Sequence, residues 1–104
     1  MRRRLYFVLP NVESAKRTAD GLLLARVEDR HMRFLARLGA WMASMAGAAV
    51  PNSRLKQFHA DIEAGRVLMM VDVPFRRVAE ITELVVSRHP EAVPRGEAIR
   101  YVFP

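Results

Sequence analysis

The side chains able to do chemistry are few and scattered. The histidines are His31, His59 and His89, and no cysteine is present, which excludes disulfides, thiolate metal sites and thiol nucleophiles. His59 and Glu63 stand four apart, a helical spacing that can chelate a metal, with Asp61 nearby. Two ligands do not make a site, and the same pair serves as a solvated helix face, so no metal is expected. His31 follows Asp29-Arg30 at the start of a strand pattern, and His89 precedes Pro90, where an imidazolium suits a helix C-terminus. Ser14, Ser44, Ser53 and Ser87 are the hydroxyl nucleophiles open to a hydrolase, and none sits in a glycine-flanked turn. Ser14 and Ser53 read as capping or first-turn residues at helix starts. Asp72 interrupts an apolar run just before Pro74, so it either pairs with an arginine or caps the next helix. No glycine-rich phosphate loop exists, and neither catalytic residues nor a cofactor are expected.

Charge is the other chemical resource. Seventeen basic residues against eleven acidic ones give a formal net charge of +6, almost all of it arginine, since only Lys16 and Lys56 are lysines. Such a balance favours anionic partners, but the arginines are spread along the chain and read first as a solvated surface. Arg33, Arg37 and Arg100, alternating with apolar residues, are the candidates for anion or phosphate contact that weakens with salt.

The elements that must position these residues are more legible. At 104 residues the chain is one domain, 1–104, large enough for a core. Val67 to Val73 and Leu5 to Leu9 are apolar at almost every position, the pattern of short strands covered on both faces. Asn11 can cap a helix running to about Arg26, with Val12, Ala15, Ala19, Leu22 and Leu23 on its apolar face. His31 to Arg37 alternates Met32, Phe34 and Ala36 with arginine, the mark of an edge strand with one wet face. Ala98 to Phe103 reads the same way, with Ile99, Tyr101 and Phe103 inward. Phe75, Val78, Ile81, Leu84 and Val85 make a helical stripe entered at Pro74 and stopped at His89-Pro90. A further helix over about 53–64 uses Leu55, Phe58 and Ile62 and ends at Gly65.

This order predicts an α+β fold, a ferredoxin-like α/β plait of βαβ-α-βαβ type with a four-stranded antiparallel sheet, helices on one face and an inserted helical segment over 38–64. The buried strands are expected side by side in the middle, parallel to one another, in the order fourth, first, third, second. Leu5, Phe7, Leu9, Val67, Met69, Val71 and Val73 then face the main helices. Tyr6, Val8, Leu68, Met70 and Val102 lie opposite, as a bare apolar face that inserted helices or a second subunit must cover. Within the insertion, Gly39, Ala43 and Gly47 recur every fourth residue, a smooth strip if helical, for helix pairing or for packing on the sheet.

The opening Arg4-Leu5-Tyr6-Phe7-Val8-Leu9-Pro10, the turn Val27 to His31, the stretch Val50-Pro51-Asn52-Ser53-Arg54-Leu55 and Gly65 through Pro74 resemble a family of small uncharacterised bacterial proteins labelled as membrane or stress-related. Members of that family typically carry a long glycine-rich hydrophobic insertion that looks like a membrane-inserting hairpin. Here most of it is missing, with Leu38 to Gly47 as its remnant. The resemblance supports the fold and supplies no catalytic residue.

The expected function is a non-catalytic homo-oligomeric assembly or regulatory module, associating through Tyr6, Leu68, Met70 and Val102 on the sheet and Trp41, Met42 and Met45 on the insertion. The alternatives are an anion- or nucleic-acid-binding protein using the edge-strand arginines, and a small dimeric α/β-barrel enzyme with a polar cavity around His31 or Asp72. Base stacking of the RNA-recognition type is disfavoured, because Leu68 and Met70 stand where aromatic rings are needed. Leu5 to Leu9 is too short for a signal-peptide core and Leu38 to Val50 too short to cross a bilayer, so a cytoplasmic chain without a membrane partner is expected.

Overall fold

A strand that is apolar on both faces needs a layer on each side, and Leu5 to Leu9 finds both. It belongs to β1 (Arg2–Leu9), near the middle of a five-stranded antiparallel sheet. The computed structural model describes residues 2–37, 39–42 and 56–100, with side chains described at all of these except 39–42 and 97–100. The remaining elements are α1 (Val12–Leu24), a 3-10 turn (Asp29–His31), β2 (Met32–Ala36), β3 (Gly39–Met42), α2 (His59–Glu63), β4 (Val67–Pro74), a second 3-10 turn (Phe75–Arg77), α3 (Val78–Arg88) and β5 (Val93–Arg100). The sheet order is β3-β2-β4-β1-β5.

β1 and β4 lie side by side, but they run antiparallel, in continuous register from Arg2 opposite Pro74 to Leu9 opposite Val67. This corrects the expected parallel pair. The α1 crossover joins β1 to β2 and leaves a strand's width between them, and β4 fills that slot running against both neighbours. β5 extends the sheet on the other side of β1. Two residues of β5, Arg95 and Gly96, stand against Tyr6 where the register shifts, and Gly96 takes φ +98° to make this bulge.

One face carries the main core. Leu5, Phe7, Leu9, Val67, Met69, Val71 and Val73 pack there with Met32 and Phe34 of β2, Ala15 and Leu22 of α1, and Ile81 and Val85 of α3. Asn11 caps α1 as expected, its Oδ1 accepting from the Ser14 amide at 2.8 Å. The buried face of α1 is nonetheless rotated from the expected stripe. Ser14, Ala15, Thr18 and Leu22 are inside, while Val12 and Leu23 are exposed. Thr18 tolerates burial because its hydroxyl donates to the Ser14 carbonyl at 2.8 Å.

Helices α1 and α2 end by the same device. After α1 the Arg26 amide donates to the Leu23 carbonyl and Val27 to Leu22, both at 3.0 Å, with Arg26 in the left-handed region at φ 66°. After α2 the Gly65 amide donates to Ile62 and Arg66 to Asp61, again at 3.0 Å, with Gly65 at φ +88°. His89 follows α3 and packs on Gly21 of α1, where a built Cβ would come within 2.9 Å of its Nε2.

The opposite face is closed from within the chain. Tyr6, Val8, Leu68 and Met70 form a second cluster under Phe58, and Leu35 and Ile62 pack at its border. The rings of Tyr6 and Phe58 stack 5.4 Å apart. Of the two covers expected for this face, the inserted segment supplies it here, through Phe58 and Ile62.

Two further differences concern the expected helical insertion. Gly39 to Met42, including Trp41 and Met42, form strand β3 rather than helix, paired in register with Ala36 to Arg33 of β2. The chain reverses at Arg37 and meets its backbone hydrogen-bonding demand by laddering onto β2, a state that tryptophan favours, while glycine weakens an isolated helix. β2 is therefore flanked on both sides and is not an edge. Leu55 and Met45 lie outside the described residues, as does Val102.

Candidate functional site

Alternation along β1 sends Arg2, Arg4, Tyr6 and Val8 to the second face. Arg4 stands directly opposite Asp72, and Arg33, opposite Met70, lies one diagonal step away on the same face. Three strands thus bring two guanidinium groups onto one carboxylate. Arg4 grips it as a fork, Nε to Oδ1 at 2.8 Å and Nη2 to Oδ2 at 3.1 Å, and Arg33 Nη1 reaches Oδ2 at 3.2 Å. All three residues are buried, at 4%, 7% and 3% exposure for Arg4, Arg33 and Asp72. Burial works against the charge on Arg4, but the hydrogen bond and attraction of Asp72 outweigh it and hold its pKa above the usual guanidinium value.

Arg2 extends the cluster toward solvent. Its Nη2 donates to the Asp72 backbone carbonyl at 3.0 Å and to His31 Nδ1 at 3.0 Å. Its buried Nε has no hydrogen-bond partner among the described residues. Arg2 and His31 are both half-buried, so this is the side on which the cluster meets water. Burial, then the charges of Arg2 and Arg30, lower the His31 pKa, while Glu28 and Asp72 act in the opposite sense. On β5, Arg100 pairs in register with Arg2, at a position on the same face.

The electrostatic sum is uneven. Among the described residues, Arg2, Arg4 and Arg33 surround Asp72, three positive charges to one negative. Among the residues with described side chains, Asp72 is the carboxylate that the Arg4 and Arg33 guanidinium groups contact. Glu97 stands opposite Leu5, at a position on the other face, and Glu28 pairs with Arg30. Hydroxyls and carbonyls can accept guanidinium hydrogen bonds, but only an anion offsets the charge.

The sequence-predicted residues fare unequally. Arg33 and Arg100 are brought to the same end of the same face, but Arg33 is buried against Asp72 rather than lying on a wet edge. The alternation that suggested a wet face is real, but that face is covered and Asp72 lies on it. Arg37 is exposed in the turn after β2 and does not join them. Tyr6, Leu68 and Met70 are 2%, 1% and 1% exposed beneath Phe58, so they offer no open surface to a second copy. Trp41 and Met42 lie on β3. Asp72 takes the arginine-paired alternative and does not cap the next helix. His59 faces Glu63 at 3.6 Å on an exposed helix surface, and Asp61 binds Arg66 and Arg95. Arg2, Arg4 and His31 were not singled out as anion contacts. Their signal was the alternation Arg2, Arg4, Tyr6, Val8, which runs β1 back into the arginine block.

A cleft of about 320 Å³ opens at the other end of β1, lined by Val8, Leu9, Pro10, Asp61, Arg66, Glu91, Val93 and Arg95. Its charges are internally matched. Arg66 and Arg95 hold Asp61 at 3.3 and 2.9 Å, and Glu91 accepts from the Ser14 hydroxyl at 2.8 Å. Neither His31 nor Asp72 lines it. Among the described residues no helix is long and apolar enough to cross a membrane. No protein-family profile, curated protein or solved structure matches the chain.

Proposed function

We propose that the chain is a non-catalytic ferredoxin-like plait that binds a compact anion at the arginine end of its second sheet face. The observation that carries this reading is the excess of guanidinium charge, three to one among the described residues, that Arg2, Arg4 and Arg33 form around Asp72, with Arg2 on the side that meets water. The alternation and the order β2-β4-β1-β5 support the plait. Asp72 acts as an internal counterion that lets two arginines be buried, and Arg2 offers the remaining positive charge at the solvent side. A single tetrahedral or planar anion meets that demand at Arg2 and His31, the half-buried side of the cluster.

Isothermal titration with sulfate and phosphate against a chloride background of equal ionic strength tests the reading. Saturable binding is expected, and Arg2→Gln weakens it about tenfold or more, the loss of one charge-assisted contact worth about 1.5–3 kcal/mol. Arg2 is half-buried and its replacement leaves the Arg4–Asp72 fork in place, so the variant is expected to fold. Absence of saturable binding to the folded wild-type chain removes the reading.

A further inference from the structure

We propose that the ligand is an oxyanion of the sulfate or phosphate type and that it enters together with a proton taken up by His31. This rests on the anion reading above and adds its chemical class and its coupling to pH. Arginine has hydrogen-bond donors only, so the 3.0 Å contact between Arg2 Nη2 and His31 Nδ1 requires a lone pair on that nitrogen. His31 is therefore neutral here, with its proton on Nε2, and serves as an acceptor for Arg2. A proton on Nδ1 turns the contact into donor against donor and frees that guanidinium edge.

An oxyanion reverses the preference. Its oxygens replace Nδ1 as the acceptor for Arg2 and accept from the new imidazolium N–H as well. The charged groups around His31 are Arg2 of β1, Arg30 and Glu28 at the 3-10 turn, and Asp72 of β4. Arg2 and Arg30 oppose its protonation, Glu28 and Asp72 favour it, and a bound dianion joins the second pair. By linkage, what raises proton affinity when the anion binds must raise anion affinity when the proton binds. Burial and the charges of Arg2 and Arg30 hold His31 below its usual range, and an anion bound beside it acts in the opposite sense, so the coupling is felt as the pH falls.

Sulfate is the probe, because its own charge does not change over the range used. Titrations from about pH 8 to about pH 5.5, in two buffers of different ionisation enthalpy, are expected to show affinity rising on acidification by up to about tenfold per pH unit, with uptake approaching one proton per sulfate. His31→Gln keeps an acceptor for Arg2 but cannot titrate, so it should bind sulfate with a flat pH profile. Wild-type binding without proton uptake, or an unchanged profile in His31→Gln, overturns the coupling and leaves the anion reading standing. No sulfate binding by folded wild type at any pH overturns both. Phenyl phosphate binding as tightly as sulfate assigns the ligand as the head of a larger molecule. Binding of the inorganic ions alone assigns a free ion, and either result keeps the proposal.

Discussion

Asp72 holds two buried guanidinium groups, so its carboxylate carries more than one contact. Exposed pairs such as Arg17 with Glu13 contribute little, because water and salt screen them and long side chains lose freedom in forming them. The Arg4–Asp72–Arg33 cluster differs because each member is at most 7% exposed. Whether such a cluster outstabilises an apolar replacement is not the relevant comparison; removing one partner is, since it strands a buried charge. Asp72→Asn leaves Arg4 and Arg33 facing each other over a neutral amide and is expected to destabilise the fold by about 3–5 kcal/mol, measured by denaturant unfolding. Arg33→Met leaves one matched pair and should cost far less. Equal losses in the two variants would show that Asp72 does not serve as the shared counterion.

The helix ends show how an element's terminus depends on one backbone angle. Gly65 adopts φ +88° without a Cβ penalty, whereas Arg26 adopts φ 66° with one, in the same hydrogen-bonding motif. Arg26→Gly is therefore expected to stabilise the chain by about 0.5–1 kcal/mol, raising the melting midpoint by a few degrees. A lower midpoint would mean that the Arg26 side chain contributes more than its backbone costs. The same comparison of elements shows what could be read from the sequence. The apolar runs Leu5 to Leu9 and Val67 to Val73 announced two strands covered on both sides, and alternation alone assigned their inward residues, all seven of which share one core cluster. β3 was hidden, because Gly39, Ala43 and Gly47 recur at a helical period and nothing local reveals that the chain turns back at Arg37. The arginine site was half legible. Arg33 and Arg100 stood out through their alternation with apolar residues, but the contact of Arg33 with Asp72 and the place of Arg100 opposite Arg2 depend on register between strands far apart in sequence. The antiparallel direction of β1 and β4 is likewise a property of the whole topology.

For the whole molecule, two cores separated by one sheet divide the stability between them. The larger is shared by α1 and α3, whereas the smaller depends on Phe58, 1% exposed and carried just before a helix of five residues. Phe58→Ala is expected to cost about 3–5 kcal/mol and to uncover Tyr6, Leu68 and Met70, with increased binding of a hydrophobic dye under native conditions. A loss of stability without dye binding would mean that other residues close over the gap. The position of β1 has a consequence in time. Its neighbours are β4 and β5, and Arg4 meets an Asp72 that lies 68 positions later. During synthesis β1 emerges with apolar side chains on both faces and must wait for most of the chain before either neighbour exists. The closure of that long loop precedes the reward for it, which makes assembly of the central pair slow relative to local helix formation. A nascent chain halted before Val67 would leave β1 without its partners, a ready target for chaperones or for aggregation.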